Sequence, residues 1–310
     1  MNTPTLSIII PVYNEEGNVL NLYREIRQVI KEKNYAAEII FIDDGSQDRT
    51  LEILKSLDGV SIIVFRKNFG QTAALDAGFK AAKGEVIVAL DGDGQNDPAD
   101  IPALLLELNH GYDVISGWRH NRQDKGSVKY FSRFGCQLRR LFIGDNIHDA
   151  GCTLKAYRRE CFEDVDLHGE MHRYIHAVLK WRGFKIGEVK VNHRPRSSGK
   201  SHYNWKKNIK GFVDLLSVWF WRKYATRPLH LFGSLGILTS LLGFVLLVLL
   251  AILRLWFGYG LSNRIWPLIA VFFILVGVQL FIAGLLADIA VKSYYQNGRK
   301  HYLIKELIKR

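Results

Sequence analysis

The first 195 residues alternate short apolar runs with segments of helical period. The runs are LSIIIPV, EIIFID, SIIVF and EVIVAL, and helices are predicted over residues 15–33, from near Asp48, and over Gln71–Ala82. These runs are apolar on both faces, as strands covered on both sides by helices must be. The pattern therefore predicts an α/β domain with a mostly parallel sheet.

The alternation weakens after residue 116. The segment YDVIS predicts one more strand. Beyond it we expect helices near 127–143 and 170–182 and a strand near 184–192.

Two long apolar stretches follow, Leu231–Leu253 and Ile265–Ala287, each of 23 residues without a charge. At ~1.5 Å per residue each would span about 35 Å, more than the ~30 Å hydrocarbon core of a bilayer. Trp256, Tyr259 and Trp266 lie at one boundary, as an aromatic belt would. The chain is predicted to cross a membrane twice.

The distribution of charge supports this prediction. The net charge of +12 at first indicates nucleic-acid binding, but the excess is concentrated at 196–227, with eight Lys or Arg against one acidic residue, and at 292–310, with six against one. These segments flank the apolar stretches, and basic flanks mark the cytoplasmic side. We expect the amino-terminal domain and both termini in the cytoplasm, at the cell membrane, and no nucleic-acid partner.

Residues 205–224 carry apolar side chains at helical spacing with lysines off that stripe. Two interpretations stay open: a helix lying in the headgroup layer and an ordinary core-facing helix.

The sequence has three cysteines and no CxxC pair. We expect them to be buried, reduced thiols: Cys136, Cys152 and Cys161.

Polar residues collect immediately after the first four apolar runs. They are Pro11, Tyr13, Asn14, Glu15 and Glu16; then Asp43, Asp44, Gly45, Ser46 and Asp48; then Arg66, Asn68 and Gly70; and finally DGDGQNDP at 91–98. Each cluster alone is explained by turn or helix-cap chemistry. All four at strand ends favour a ligand site, because open α/β sheets bind ligands at the carboxyl ends of their strands.

The segment 91–98 places Asp91, Asp93 and Asp97 within seven residues. Carboxylates this close repel unless a cation lies among them, and Mg²⁺ or Mn²⁺ prefers such oxygens. The EF-hand pattern fails, because Asn96 takes its glycine position and Pro102 its final glutamate position. A solvated turn remains the alternative.

Other ligand motifs are weak. GKS at 199–201 lacks the first glycine of a P-loop, which is Arg194 here. His172 and His176, with Glu170 nearby, resemble a zinc site that lacks a further ligand.

The segments SIIIPVYNEEGN, IDDGSQDRT, RKNFGQTAALDAGF and ALDGDGQNDP together resemble family 2 glycosyltransferases of the GT-A fold. Later segments, among them SGWRHNRQD, HDAGCTLKAYRRE and VNHRPRSSGKSHY, resemble the branch that acts on polyprenyl phosphates, with dolichol-phosphate mannosyltransferase and bactoprenol glucosyltransferase. The resemblance implies a catalytic domain at 1–200, interfacial helices at 201–228, a two-helix membrane domain at 229–290 and a basic cytoplasmic tail at 291–310.

The resemblance also implies roles for individual residues. Pro11, Tyr13, Glu15, Asp43, Asp44, Asp91 and Gln95 would bind the nucleotide sugar, and Asp91, Asp93 and Gln95 would hold Mg²⁺ or Mn²⁺. Arg119, Arg122 and Arg133 would bind the acceptor phosphate, and Arg196 and Lys200 would form a loop that closes on it. Asp93, Asp149, Arg119 and Arg133 would be catalytic, with Asp149 an orienting carboxylate more than a base. Surface charges are the alternative for Arg119 and Arg133.

The expected reaction is transfer of a sugar from a GDP or UDP donor to dolichyl or undecaprenyl phosphate, with inversion. A processive, glycan-building synthase is the first alternative, although a QxxRW motif is absent and only two spans are predicted. A non-catalytic membrane scaffold or channel subunit is the second. The sequence leaves open whether copies of the chain form a homo-oligomer.

Overall fold

The computed structural model describes residues 5–119, 147–163, 165–167, 169, 171–194, 224, 228–258, 260, 264–297 and 304–309; beyond residue 290 it describes the backbone alone. The predicted helices near 127–143 and over 205–224 lie outside these ranges, Tyr224 apart. The chain divides into two compact units, Met1–Val218 with Lys300–Arg310, and Trp219–Arg299.

The described part of the first unit contains an eight-stranded mixed sheet. Its strands are β1 (Leu6–Val12), β2 (Ala37–Asp43), β3 (Val60–Phe65), β4 (Val86–Ala89), β5 (Val114–Arg119), β6 (Lys155–Arg158), β7 (Ile186–Val191) and β8 (Ile304–Lys309). Their order is β7-β5-β6-β4-β1-β2-β3-β8. Strands β4, β1, β2 and β3 are mutually parallel, so their carboxyl ends meet at one edge of the sheet. The predicted α/β fold is confirmed, including the strand near 184–192.

Helices cover both faces of the sheet. They are α1 (Val19–Glu32), α2 (Thr50–Lys55), α3 (Gln71–Ala81), α4 (Ile101–Asn109) and α5 (Ile175–Trp181). Alternate residues of β1 face opposite layers: Ile8 packs in the cluster that includes α1, α2 and α4, and Ile9 in the cluster that includes α3 and α5. Each buried isoleucine contributes about 1.5–3 kcal/mol by leaving water. This double burial is why the strands are apolar at consecutive positions.

Strand β6 is short and was not predicted. It runs antiparallel between β4 and β5, with Lys155 opposite Ala89 of β4 and Ser116 of β5. Because β6 runs against β4, the residues that precede β6 lie at the carboxyl end of β4. The antiparallel insertion therefore brings the segment 149–154 to the edge where the predicted site lies.

Strand β8 was not predicted either. The sequence marks residues 291–310 as a basic tail, but 304–309 pair antiparallel with β3, for example Ile308 with Ile62. The carboxyl-terminal segment is thus part of the first unit.

The second unit consists of two long helices, α6 (Pro228–Phe257) and α7 (Trp266–Asn297). Both are long and apolar enough to cross a membrane, and only 17% of the most apolar stretch of each is buried. Buried residues of α6 include Gly233, Gly236 and Gly243, which let the two backbones approach closely. The two predicted spans are these helices, each longer than its charge-free stretch.

Candidate active site

A cavity of about 310 Å³ opens at the carboxyl ends of β1 to β4. Its walls are Pro11, Val12, Tyr13, Glu15, Asp44, Asn68, Gly70, Gln71, Ala74, Asp91, Gly92 and Asp93. Every one of the four strand-end clusters contributes to this wall. The four clusters thus converge on one cavity, and six of the residues predicted to bind nucleotide or metal line it: Pro11, Tyr13, Glu15, Asp44, Asp91 and Asp93. Their binding roles stay predictions.

The loops that follow β1 and β2 are hydrogen-bonded to each other on one side of the cavity. The Asn14 side chain accepts a hydrogen bond from the Gln47 backbone N–H at 2.8 Å, and Asp48 accepts one from the Glu16 backbone N–H at 3.2 Å. Asn14 adopts a left-handed φ of 55°, a conformation that asparagine tolerates. With the loops held in this way, Tyr13 is 41% exposed at the cavity rim, where an aromatic ring can stack on a nucleobase.

The adjacent acidic pair of β2 has two different environments. Asp44 lines the cavity and accepts the backbone N–H groups of Phe69 at 2.7 Å and Gly70 at 2.9 Å, which holds the start of α3 against β2. Asp43 lies buried outside the cavity wall and accepts the Ser46 N–H. Burial raises the pKa of both carboxyls. Of the two, Asp44 is the one that lines the cavity.

Asp91 is held by donors from two other segments. The Gln71 amide donates to one carboxylate oxygen at 2.6 Å, and the Thr153 hydroxyl donates to the other at 2.7 Å. Burial raises the pKa of Asp91 to about 6, against the lowering effect of the Thr153 hydrogen bond. Asp91 is therefore fixed in orientation on the cavity wall.

Asp93 lies on the same wall, 9% exposed, and accepts the Gln95 backbone N–H at 3.1 Å. The Gln95 side chain is not part of the cavity wall. Within the described residues, no group of three or more His, Cys, Asp or Glu could hold a metal ion. Mg²⁺ commonly binds through one or two carboxylates plus substrate phosphates, and Asp93 beside this cavity fits that arrangement.

Arg119 and Asp149 form a bidentate ion pair on the β5 side. The Arg119 Nε lies 2.6 Å from one Asp149 oxygen and a terminal nitrogen lies 2.9 Å from the other. Burial lowers the pKa of Arg119, but hydrogen bonding to Asp149 and its charge outweigh this, so the pKa is raised. The other predicted acceptor residues, Arg122, Arg133, Arg196 and Lys200, lie outside the described residues.

The sequence model of Glycosyl transferase family 2 matches residues 7–166, which include the cavity and Asp149. The chain belongs to glycosyltransferase family 2. It is an enzyme of the transferase class, and the resemblance seen in its motifs is confirmed.

Two curated relatives extend the similarity over the whole transferase. The dodecaprenyl-phosphate galacturonate synthase of Rhizobium johnstonii is 35% identical over 97% of this chain and 92% of its own length. The undecaprenyl-phosphate 4-deoxy-4-formamido-L-arabinose transferase of Pseudomonas paraeruginosa is 33% identical over 98% of this chain and 90% of its own. Both are named for sugar transfer to a polyprenyl phosphate.

Solved structures share the fold. The glucosyl-3-phosphoglycerate synthase of Mycobacterium tuberculosis, in complex with Mn²⁺ and UDP-glucose, matches 71% of this chain and 79% of its own, with a TM-score of 0.54 and 18% identity. A complex of the same enzyme with phosphoglyceric acid matches with a TM-score of 0.55. At this identity the likeness concerns the fold of the transferase alone.

Sequence reasoning missed several residues of the site. Gln71 and Ala74 line the cavity from α3, and the strand-end rule would have found Gln71, which directly follows Gly70. Thr153 and Lys155 had no such signal, because only the antiparallel pairing of β6 brings them to the carboxyl end of β4. Lys155 is 2% exposed and donates to the Ala150 carbonyl at 3.3 Å, and burial lowers its pKa.

Two of the three cysteines are buried free thiols, as predicted, and Cys136 lies outside the described residues. Burial raises the pKa of Cys152 to about 11 and that of Cys161 to about 12. Both thiols are therefore protonated at neutral pH and unsuited to nucleophilic chemistry.

Proposed function

We propose that this transferase moves a sugar from a GDP or UDP donor to a polyisoprenyl phosphate, dolichyl or undecaprenyl, with inversion at the anomeric carbon. The observation that carries the proposal is the match to the dodecaprenyl-phosphate and undecaprenyl-phosphate enzymes over 97–98% of the chain, both apolar helices included. Two helices long and apolar enough to cross a bilayer would hold the enzyme at the membrane, where a lipid acceptor lies.

The cavity supports the donor half of the reaction. Tyr13 and Asp44 would contact the nucleoside, with Pro11 and Glu15 beside them. Asp43 would hold the loop after β2 through the Ser46 backbone N–H. Asp93 would hold Mg²⁺ or Mn²⁺ together with the donor diphosphate, and Asp91 and Gln95 would complete this part of the site. The cation would neutralise charge on the leaving diphosphate.

The acceptor half of the reaction needs positively charged side chains at the phosphate more than it needs a general base. A phosphate monoester has a second pKa near ~6 and is mostly ionised at neutral pH. One of its oxygens attacks the anomeric carbon, the bond from that carbon to the diphosphate oxygen breaks, and the nucleoside diphosphate leaves. Arg119 would position the acceptor phosphate, and Asp149, through its bidentate contact, would orient Arg119. Arg122, Arg133, Arg196 and Lys200 are proposed to add positive charge around the phosphate.

The proposed placement is the cell membrane, crossed twice, with the catalytic domain and both termini in the cytoplasm. The basic flanks of the two helices support this orientation. The pairing of β8 with β3 supports it too, because the segment after α7 belongs to the same unit as the cavity. Association of copies of the chain into a homo-oligomer stays a prediction.

A reconstituted transfer assay tests the proposal. Purified enzyme is given a panel of labelled UDP- and GDP-sugars, undecaprenyl or dolichyl phosphate, and Mg²⁺, Mn²⁺ or EDTA, and label in the lipid fraction is counted. We expect one donor to label the lipid in a metal-dependent manner. Label in a growing glycan, and none in the lipid, would support the processive synthase instead.

Asp93 provides the sharpest variant for this assay. Asp93→Ala is expected to lower transfer by about 10²-fold or more, because the charge that holds the cation at the diphosphate is lost. Cys161→Ser, which alters a buried thiol on the α3 face of the sheet, is the matched control and should transfer like the wild type. Wild-type label in the lipid fraction with Asp93→Ala would refute the metal role.

A further inference from the structure

The Thr153 hydroxyl connects two parts of the site that lie far apart in the sequence. It donates to an Asp91 oxygen at 2.7 Å and accepts a hydrogen bond from the Asn96 amide at 2.9 Å. An amide N–H₂ can only donate, so the single hydroxyl proton is directed to Asp91. One hydroxyl thus holds both ends of the loop that follows β4.

The same hydroxyl completes the hydrogen bonding of Asp91. Gln71 occupies one carboxylate oxygen and Thr153 the other, so the plane of the carboxylate is set from α3 on one side and from the β6 segment on the other. Asn96 is buried at 4% exposure. Without the hydroxyl, a buried amide and a buried carboxylate oxygen would each lose a partner.

Thr153 also ends the segment that contains the acceptor-side ion pair. Asp149, four residues before Thr153, is hydrogen-bonded to Arg119. Lys155, two residues after Thr153, donates to the carbonyl of Ala150, which lies within the same segment. The segment 149–153 is therefore attached at Asp149 to Arg119 of β5 and at Thr153 to Asp91 and Asn96 after β4. No other side-chain contact in the described residues joins Asp91 to this segment as directly.

We infer that Thr153 is a positioning residue, whose hydroxyl sets the distance between the acceptor-side pair Arg119–Asp149 and the donor-side carboxylates Asp91 and Asp93. The inference rests on the proposed function, because it concerns the alignment of donor and acceptor. Reacting atoms must lie about 3–3.5 Å apart, and a shift of about 1 Å can cost 10²-fold in rate. The hydroxyl should thus affect turnover more than the binding of either substrate.

The test compares Thr153→Val, which keeps the shape and removes the hydroxyl, with Thr153→Ser, which keeps the hydroxyl. For Thr153→Val we expect kcat for lipid transfer to fall at least tenfold, while the nucleotide-sugar Kd, measured by titration calorimetry, changes less than threefold. Thr153→Ser should restore kcat to within about threefold of the wild type. Thr5→Val is the matched control, because among the described residues the Thr5 hydroxyl donates to the Ala36 carbonyl at the surface, away from the cavity wall.

Three results would overturn the inference: a kcat for Thr153→Val within twofold of the wild type, a kcat for Thr153→Ser as low as that of Thr153→Val, or a loss of donor affinity that accounts for the whole effect. If Thr153→Val fails to give a thermal unfolding transition, Thr153→Ala takes its place with the same expected loss. A wild-type enzyme that labels no lipid would instead refute the proposed function, and the variants are compared only after wild-type transfer is established.

Discussion

At the scale of single residues, the site is built from side chains that hold one another before any substrate binds. Arg119 and Asp149 show this most directly, since both side chains are only 14% exposed and meet in a bidentate contact. If Arg119 binds the acceptor phosphate as proposed, a guanidinium fixed in this way would lose little conformational freedom on binding. Both residues were predicted from the sequence as site residues, but their contact was not, because it joins positions 30 residues apart.

The pair predicts non-additive variants. Arg119→Gln and Asp149→Asn should each lower the apparent Tm and the lipid-transfer rate, because each leaves a poorly hydrated partner behind. The double variant should be no worse than the poorer single variant, with a coupling of about 0.5–3 kcal/mol in the cycle. Thermal unfolding and transfer assays of all four proteins measure this, and strictly additive losses would show that the two side chains act independently.

At the scale of elements, strand β6 and the close packing of α6 against α7 are two features on which testable predictions depend. Strand β6 runs antiparallel between β4 and β5 and delivers residues 149–155 to the site. In the second unit, a Cβ on Gly277 would lie 2.5 Å from the Gly236 carbonyl oxygen and 2.6 Å from the Ser240 nitrogen. The helix pair is therefore held at a separation that only glycine permits at this point.

Gly277→Ala tests that separation. The added methyl group should push α6 and α7 apart at a cost of about 1–3 kcal/mol, which corresponds to an apparent Tm lowered by about 2–6 °C in detergent. Gly260→Ala is the matched control, since a Cβ there meets no atom of the described residues within 4 Å. Equal Tm values for the two variants would contradict the close packing of the two helices.

At the scale of the whole molecule, the two long helices leave and return to one unit. Strand β8 follows α7 in the sequence and lies in the sheet that carries the cavity. If both helices cross a bilayer, the cavity-bearing unit and the carboxyl terminus share one side, and residues 258–265 lie on the other. In the orientation proposed from the basic flanks, this shared side faces the cytoplasm.

Labelling in whole cells that express the protein checks this topology. A cysteine at position 260, made as Gly260→Cys, should react with a membrane-impermeant maleimide added to intact cells. Leu106→Cys, at a residue 59% exposed in the cavity-bearing unit, should react only after the membrane is permeabilised. Labelling of Leu106→Cys in intact cells would reverse the proposed orientation.

The sequence by itself determined those features that depend on neighbouring residues. Continuous apolar runs require burial on both faces, so they specified the parallel strands, and charge-free stretches of 23 residues specified the two long helices. The polar residues after β1 to β4 could be assigned to one site because parallel strands share a carboxyl edge.

Only the tertiary structure decided which distant segments meet. Charged residues interrupt β6 (KAYR) and β8 (IKELIK), so no continuous apolar run marks them, and their places follow from pairing with β4, β5 and β3. The hydrogen bond from Thr153 to Asp91 joins residues 62 positions apart and exists because β6 runs antiparallel to β4. Local patterns record burial and turn chemistry, whereas these contacts depend on strand order and direction, which no short stretch of sequence contains.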